Sequence, residues 1–160
     1  QFSAEIGVSI YRNQTQSKIL DIESLDVVQL PLNLFSPELS EQERDRLQLP
    51  KRKVIARSIF GQGWLIGPVA AAEAKGLPLA GIVAAFERVA LEIGRSRLEI
   101  CLKSILGRPY VAGVVVGVRS TAHLIEIASA LEAPPLTRAE GLFIEDSLPI
   151  GQFDPDPRTS

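Results

Sequence analysis

The stretch Arg57-Ser58-Ile59-Phe60-Gly61-Gln62-Gly63 brings a guanidinium, a hydroxyl and two glycines together in one short run. Glycine lets a backbone approach a ligand closely and enter the left-handed region. Successive backbone N–H groups in such a turn can face a single anion. A second stretch, Gly117-Val118-Arg119-Ser120-Thr121, sets an arginine at the start of a helical pattern. Unpaired N–H groups at a helix start also attract anions. Alone, a G-x-G is an ordinary turn, and an arginine near a helix start is an ordinary surface residue. Two such places at the ends of neighbouring strands would suit a phosphate-rich ligand, a dinucleotide among them.

The elements that must position these residues are readable. Four β-branched runs stand out: Ala4–Ile10, Leu25–Leu30, Lys53–Ala56 and Val111–Val118. Each is apolar over most of its length, which predicts strands buried on both faces in a parallel sheet. Helical patterns fall between them. Gln14–Ile22 is short and mixed. Pro37–Leu49 has Ser36 as its predicted N-cap, Pro37 at the first helical position and Pro50 as its stop. Leu79–Ile93 is amphipathic, with Gly94 as its predicted C′ residue. Ser96–Leu106 opens on a Ser96/Glu99 capping box and holds Cys101 as a small buried residue. Ser120 is the predicted N-cap of Thr121–Leu131. The Pro-rich end, Ser147–Ser160, is expected to be a C-terminal arm beyond a folded unit at 1–146. Strands alternating with helices imply parallel βα units, either a small doubly wound sheet or half of a (β/α)8 barrel.

Composition bounds the alternatives. The chain has 160 residues, a net charge of −2 and 46% hydrophobic residues, enough for one packed core. The balance of charge argues against a nucleic-acid footprint. No apolar run approaches the ~18 residues of a membrane span. The lone cysteine, Cys101, points to a reducing compartment, hence the expectation of a cytoplasmic protein. There is no methionine and the chain opens on Gln1, so a processed chain or fragment is expected.

Four stretches, in order, resemble the aldo/keto reductase family. IGVSIY (Ile6–Tyr11) is similar to its fifth strand and LDVVQLPLNLF (Leu25–Phe35) to its sixth. VIARSIFGQGWL (Val54–Leu65) is similar to the seventh strand and its phosphate loop. VVVGVRSTAHLIEI (Val114–Ile127) is similar to the eighth strand and last helix. The R-S-x-F-x-Q-G form looks closest to a bacterial branch associated with sugar or polysaccharide metabolism. The resemblance implies the C-terminal half of a (β/α)8 barrel, about four parallel βα units. It also implies NADPH, or NADH, as cofactor and a small aldehyde or ketone, sugar-derived, as substrate. Ser9 and Gln29 would hold the nicotinamide carboxamide. Arg57 stands where many members stack an aromatic ring, and a planar guanidinium can stack there too. Ser58, Phe60, Gly61 and Gly63 would line the pyrophosphate. Gly117, Arg119, His123 and Glu126 would surround the adenosine end, with Arg119 on a 2′-phosphate. Ile10 and Ile127 depart from asparagines common in the family.

The family's catalytic Asp, Tyr, Lys and His come from strands ahead of the first one here, so no catalytic residue is assigned. Tyr11 and Tyr110 lack the motif, and His123, the single histidine, has no acid or base partner placed beside it. A half-barrel leaves open sheet edges and an uncovered inner face, so it should seek a missing N-terminal half or another copy of itself. The alternative is a non-catalytic half-barrel that binds or regulates a partner.

Overall fold

The computed structural model describes residues 4–15, 17–49, 51–74 and 80–151. Four strands, β1 (Gly7–Ser9), β2 (Val27–Pro31), β3 (Lys53–Arg57) and β4 (Val111–Val114), form one sheet in the order of the sequence. All three pairings are parallel, with Ser9 beside Gln29, Gln29 beside Ile55 and Ile55 beside Gly113. The register shifts between Val54 and Ile55, which offsets β4 from its neighbours.

The strands are buried on one face, where the sequence predicts two. Val28, Leu30, Val54 and Ala56 are essentially inaccessible and face the helices. Gly7 and Ser9 on the other face are exposed, and Val27, Gln29 and Ile55 are half-buried. Apolar composition alone does not separate the two situations, because the uncovered face still carries Val27 and Ile55. β4 is shorter than Val111–Val118. After the Val115 N–H donates to Ala56 O (2.8 Å), the chain leaves the ladder.

Two helix assignments change. Over Gln14–Ile22 the described residues form 3-10 turns at Arg12–Gln14 and Lys18–Asp21, not an α-helix. Over Pro37–Leu49 the helix is only α1 (Glu41–Arg46), capped by a Ser40/Glu43 box. Ser36 is taken up elsewhere: its hydroxyl accepts the Asn33 N–H (3.1 Å), while Asn33 Oδ1 accepts the Phe35 and Ser36 N–H groups. This Asx-type turn competes with a helical start at that point. Pro50, Leu79 and 152–160 lie outside the described residues.

Between β3 and β4 run α2 (Val69–Ala74), α3 (Ala80–Ile93) and α4 (Arg97–Leu106). α3 buries Val83, Phe86, Val89 and Ala90, and Phe86 meets Phe35 edge-on at 5.8 Å between centroids. Gly94 follows at φ +69°, the left-handed C′ position the sequence predicts. α4 starts on the Ser96/Glu99 box as expected. α5 (Thr121–Glu132) starts on Ser120, and α6 (Arg138–Ser147) on a Thr137/Glu140 box. Beyond α6, Leu148 is buried and the Gly151 N–H donates to Phe35 O (3.0 Å).

Arginines fasten the loops to this core. Arg52, 2% exposed, donates to Leu20 O (2.8 Å), Ile22 O (2.9 Å) and Leu25 O (3.0 Å). It closes the β1–β2 connection onto the entry to β3. Arg52→Ala should lower unfolding free energy by about 3 kcal/mol or more, because three carbonyls lose a buried donor. A urea titration with an unshifted midpoint would contradict this.

Arg95 joins the α3–α4 link to α6 through Glu140 and the carbonyls of Pro134 and Pro135. The Arg95 guanidinium, and then the Thr137 N–H and hydroxyl, hold the Glu140 carboxyl down at about 2 from an ordinary 4.5. A depressed carboxyl stabilises the fold above its unfolded value, and that contribution is lost as pH falls through the folded one. Glu140→Gln should therefore melt below the wild type at pH 6. The gap should close as the pH is lowered from 4.5 towards 2 in thermal melts.

Candidate binding site at the carboxyl ends of the strands

In parallel α/β proteins, ligands meet the carboxyl ends of the strands. Two groups of residues collect there. On the inner face, Ser9 Oγ donates to Gln29 Oε1 at 2.9 Å, across directly opposed positions of β1 and β2. Arg57, at the end of β3, lies against the same pair. Its Nε is 3.3 Å from Ser9 Oγ, its Nη1 3.4 Å from Ser58 Oγ and its Nη2 3.4 Å from Ile10 O. The guanidinium carbon sits 4.8 Å from the centroid of the Tyr11 ring. Arg57 and Tyr11 therefore form a stacked cation–aromatic pair.

The second group lines an open groove of about 860 Å³ between the β3 loop and the start of α5. Ser58, Phe60 and Gly63 enter it from the loop, and Gly117, Arg119 and His123 from the other wall. The loop is tightly wound. Ser58, Gly61, Gln62 and Gly63 all have positive φ, at 57°, 52°, 59° and 93°. The Gly61 and Gly63 N–H groups donate to Ser58 O and Phe60 O, both at 2.9 Å, so these two amides close the turn itself. From outside, Arg97 of α4 holds the loop's exit by donating to Leu65 O (2.9 Å) and Gly67 O (2.7 Å).

On the opposite wall, Ser120 Oγ accepts the His123 N–H at 3.2 Å and caps α5. Arg119 is exposed and makes no ion pair among the described residues. His123 Nε2 is buried without a hydrogen-bond partner. A buried polar atom of that kind is costly unless something else satisfies it.

The structure thus gathers Ser58, Phe60, Gly63, Gly117, Arg119 and His123 into one groove, and Ser9, Gln29 and Arg57 into an adjoining cluster. Ser58, touching Arg57, joins the two. Gly61 is buried beneath the loop. Glu126 lines a separate hollow with Glu87 and Arg95. Tyr11 under Arg57 and Trp64 in the groove wall are site residues that sequence reasoning did not assign. For Trp64, the signal was the chain's one tryptophan directly after the G-x-G. Tyr110 lies before β4, and its hydroxyl donates to Glu38 Oε2 at 2.8 Å. Burial, and after it the Glu38 carboxylate, push that hydroxyl above its ordinary range, against an opposing pull from Arg108. No group of three or more metal-ligating side chains occurs among the described residues.

The groove's two solvent-facing glycines should behave differently. A Cβ at either Gly63 or Gly117 would meet open space, but only Gly63 has positive φ. Gly63→Ala should cost about 1–2 kcal/mol through backbone strain, and Gly117→Ala less than about 0.5 kcal/mol. Equal midpoints for the two variants in chemical denaturation would contradict this.

No protein-family model and no curated protein matches the sequence. Solved structures do match in fold. The holo form of aldo-keto reductase AKR11C1 from Bacillus halodurans superposes with a TM-score of 0.66 at 19% identity, over 90% of this chain and 50% of that one. The apo form of the same protein gives 0.65 with the same identity and coverage. The chain spans about half the length of these structures. With four parallel strands in sequence order, helices on one face and the other face open, the chain has the fold of the C-terminal half of an aldo-keto reductase (β/α)8 barrel.

Proposed function

We propose that this chain is the cofactor-binding half of an NAD(P)H-dependent aldo/keto reductase. The groove between the β3 loop and α5 is the observation that carries this reading. It unites Arg119, which has no ion-pair partner among the described residues, with the unsatisfied His123 Nε2 and the open approach at Gly63. These residues fit an elongated ligand bearing phosphates. Ser58, Phe60 and Gly63 would line its pyrophosphate, with Gly61 buried in the loop behind them, and Gly117, Arg119 and His123 would line its adenosine end. Ser9 and Gln29 would hold the carboxamide, because the pair already joins β1 to β2 at the right end of the sheet.

When bound, the dinucleotide supplies the hydride for reduction of an aldehyde or ketone, for which we propose a sugar-derived compound. The chain's own residues bind and orient. Tyr11 is occupied beneath Arg57, and Tyr110 is bound to Glu38 before β4. The proton donor therefore belongs to a partnering half-barrel. Val115, Val118, Leu124 and Ile125, each 43–60% exposed, give that partner an apolar edge beside β4 and along α5. The same placement of the tyrosines supports a second reading, in which the half-barrel binds the dinucleotide within a non-catalytic or regulatory assembly.

Removing the Arg119 guanidinium tests the groove. Arg119→Ala should weaken NADPH binding roughly tenfold or more, the size of a lost charge-assisted hydrogen bond, with a much smaller effect on NADH. Equal losses for the two cofactors in fluorescence titrations would remove Arg119 from the 2′-phosphate.

A further inference from the structure

The inner face of β3 carries two cations. Lys53, at the strand's entry, is paired with Glu5. Arg57, at its exit, is half-buried and has no carboxylate partner among the described residues. Everything that holds it is neutral: the hydroxyls of Ser9 and Ser58, the Ile10 carbonyl and the Tyr11 ring. These contacts fix the guanidinium in place without cancelling its charge. The charge stands directly beside the Ser9–Gln29 pair.

We propose that Arg57 makes this site distinguish the two oxidation states of a nicotinamide dinucleotide by charge, binding the neutral reduced ring more tightly than the cationic oxidised ring. The inference rests on the dinucleotide reading above, with Ser9 and Gln29 at the carboxamide. Between the two states the phosphates, riboses and adenine are unchanged. Contacts from Arg119, His123 and the β3 loop therefore cancel in the ratio of the two affinities. What remains is the ring, which carries a positive charge when oxidised and none when reduced. An uncharged aromatic side chain at the Arg57 position would be far less sensitive to that difference. A fixed guanidinium repels the oxidised ring. At about 4 Å in water-like screening, two like unit charges repel by an amount worth roughly fivefold in a binding constant, and partial burial enlarges it. The anchoring by Tyr11, Ser9 and Ile10 keeps the guanidinium from swinging aside to relieve this.

The test is equilibrium titration of NADPH and NADP+ against the wild-type chain and three variants, with folding checked by circular dichroism. The quantity read is the Kd for NADP+ divided by the Kd for NADPH. Arg57→Gln and Arg57→Tyr, which remove the charge and in the second case keep a flat surface, should each lower the ratio roughly fivefold or more. Arg57→Lys, which keeps the charge, should largely preserve it. An unchanged ratio in either folded neutral variant, with both cofactors still binding, overturns the inference and leaves the dinucleotide reading standing. Failure of the folded wild-type chain to bind either cofactor overturns the dinucleotide reading, and this inference falls with it.

Discussion

The whole chain is organised by a sheet that is buried on one side only. Parallel strands taken in sequence order need a crossover between each pair, and here the helical crossovers cover the face that carries Val28, Leu30, Val54 and Ala56. Burial of that face drives folding, while the opposite face keeps Gly7 and Ser9 exposed and Gln29 and Arg57 half-buried. The candidate site is a product of that asymmetry. Its polar groups sit where packing demands nothing of them. Helices on the far side hold its loops in place from behind, as Arg97 of α4 does for Leu65 and Gly67.

Several arginines outside the site are saturated. Arg52 takes three carbonyls, Arg12 meets Glu43 and the carbonyl of Glu38, and Arg95 is shared between Glu140, Glu99 and two proline carbonyls. These side chains act as clasps, replacing hydrogen bonds that irregular loops cannot make among themselves. At the strand ends, Arg57 and Arg119 have no carboxylate partner among the described residues. Both stand in the candidate site, Arg119 in the groove wall and Arg57 beside Ser9 and Ser58.

Much of the architecture was legible because it depends on local patterns. The four strands, the Ser96/Glu99 start of α4, the Gly94 end of α3 and the Ser120 cap of α5 all follow from residue type and spacing. The α1 error has the same origin. Ser40-Glu41-Gln42-Glu43 is a full capping box, a stronger signal than Ser36 before a proline, and Asn33 claims Ser36 for a turn. The Thr137/Glu140 box that opens α6 is an equally local signal, set just after Pro134 and Pro135. At the site, the phosphate-type loop and Arg119 were visible as chemistry. Their union in one groove depended on tertiary packing. So did the exclusion of Glu126, the burial of His123 Nε2 and the seating of Arg57 on Tyr11. None of these has a signature in spacing along the chain.

The one thiol, Cys101, lies fully inside α4, and burial pushes it up to about 12. At neutral pH it is neither ionised nor reachable, and thiolate is the form that reacts. The native chain is therefore chemically silent toward alkylating and maleimide reagents. A cysteine introduced at the exposed apolar edge beside β4 and along α5, at Val115 or Leu124 for example, would carry a spin label or a fluorophore without background from the native residue. That edge could then be followed directly as a partner closes over it.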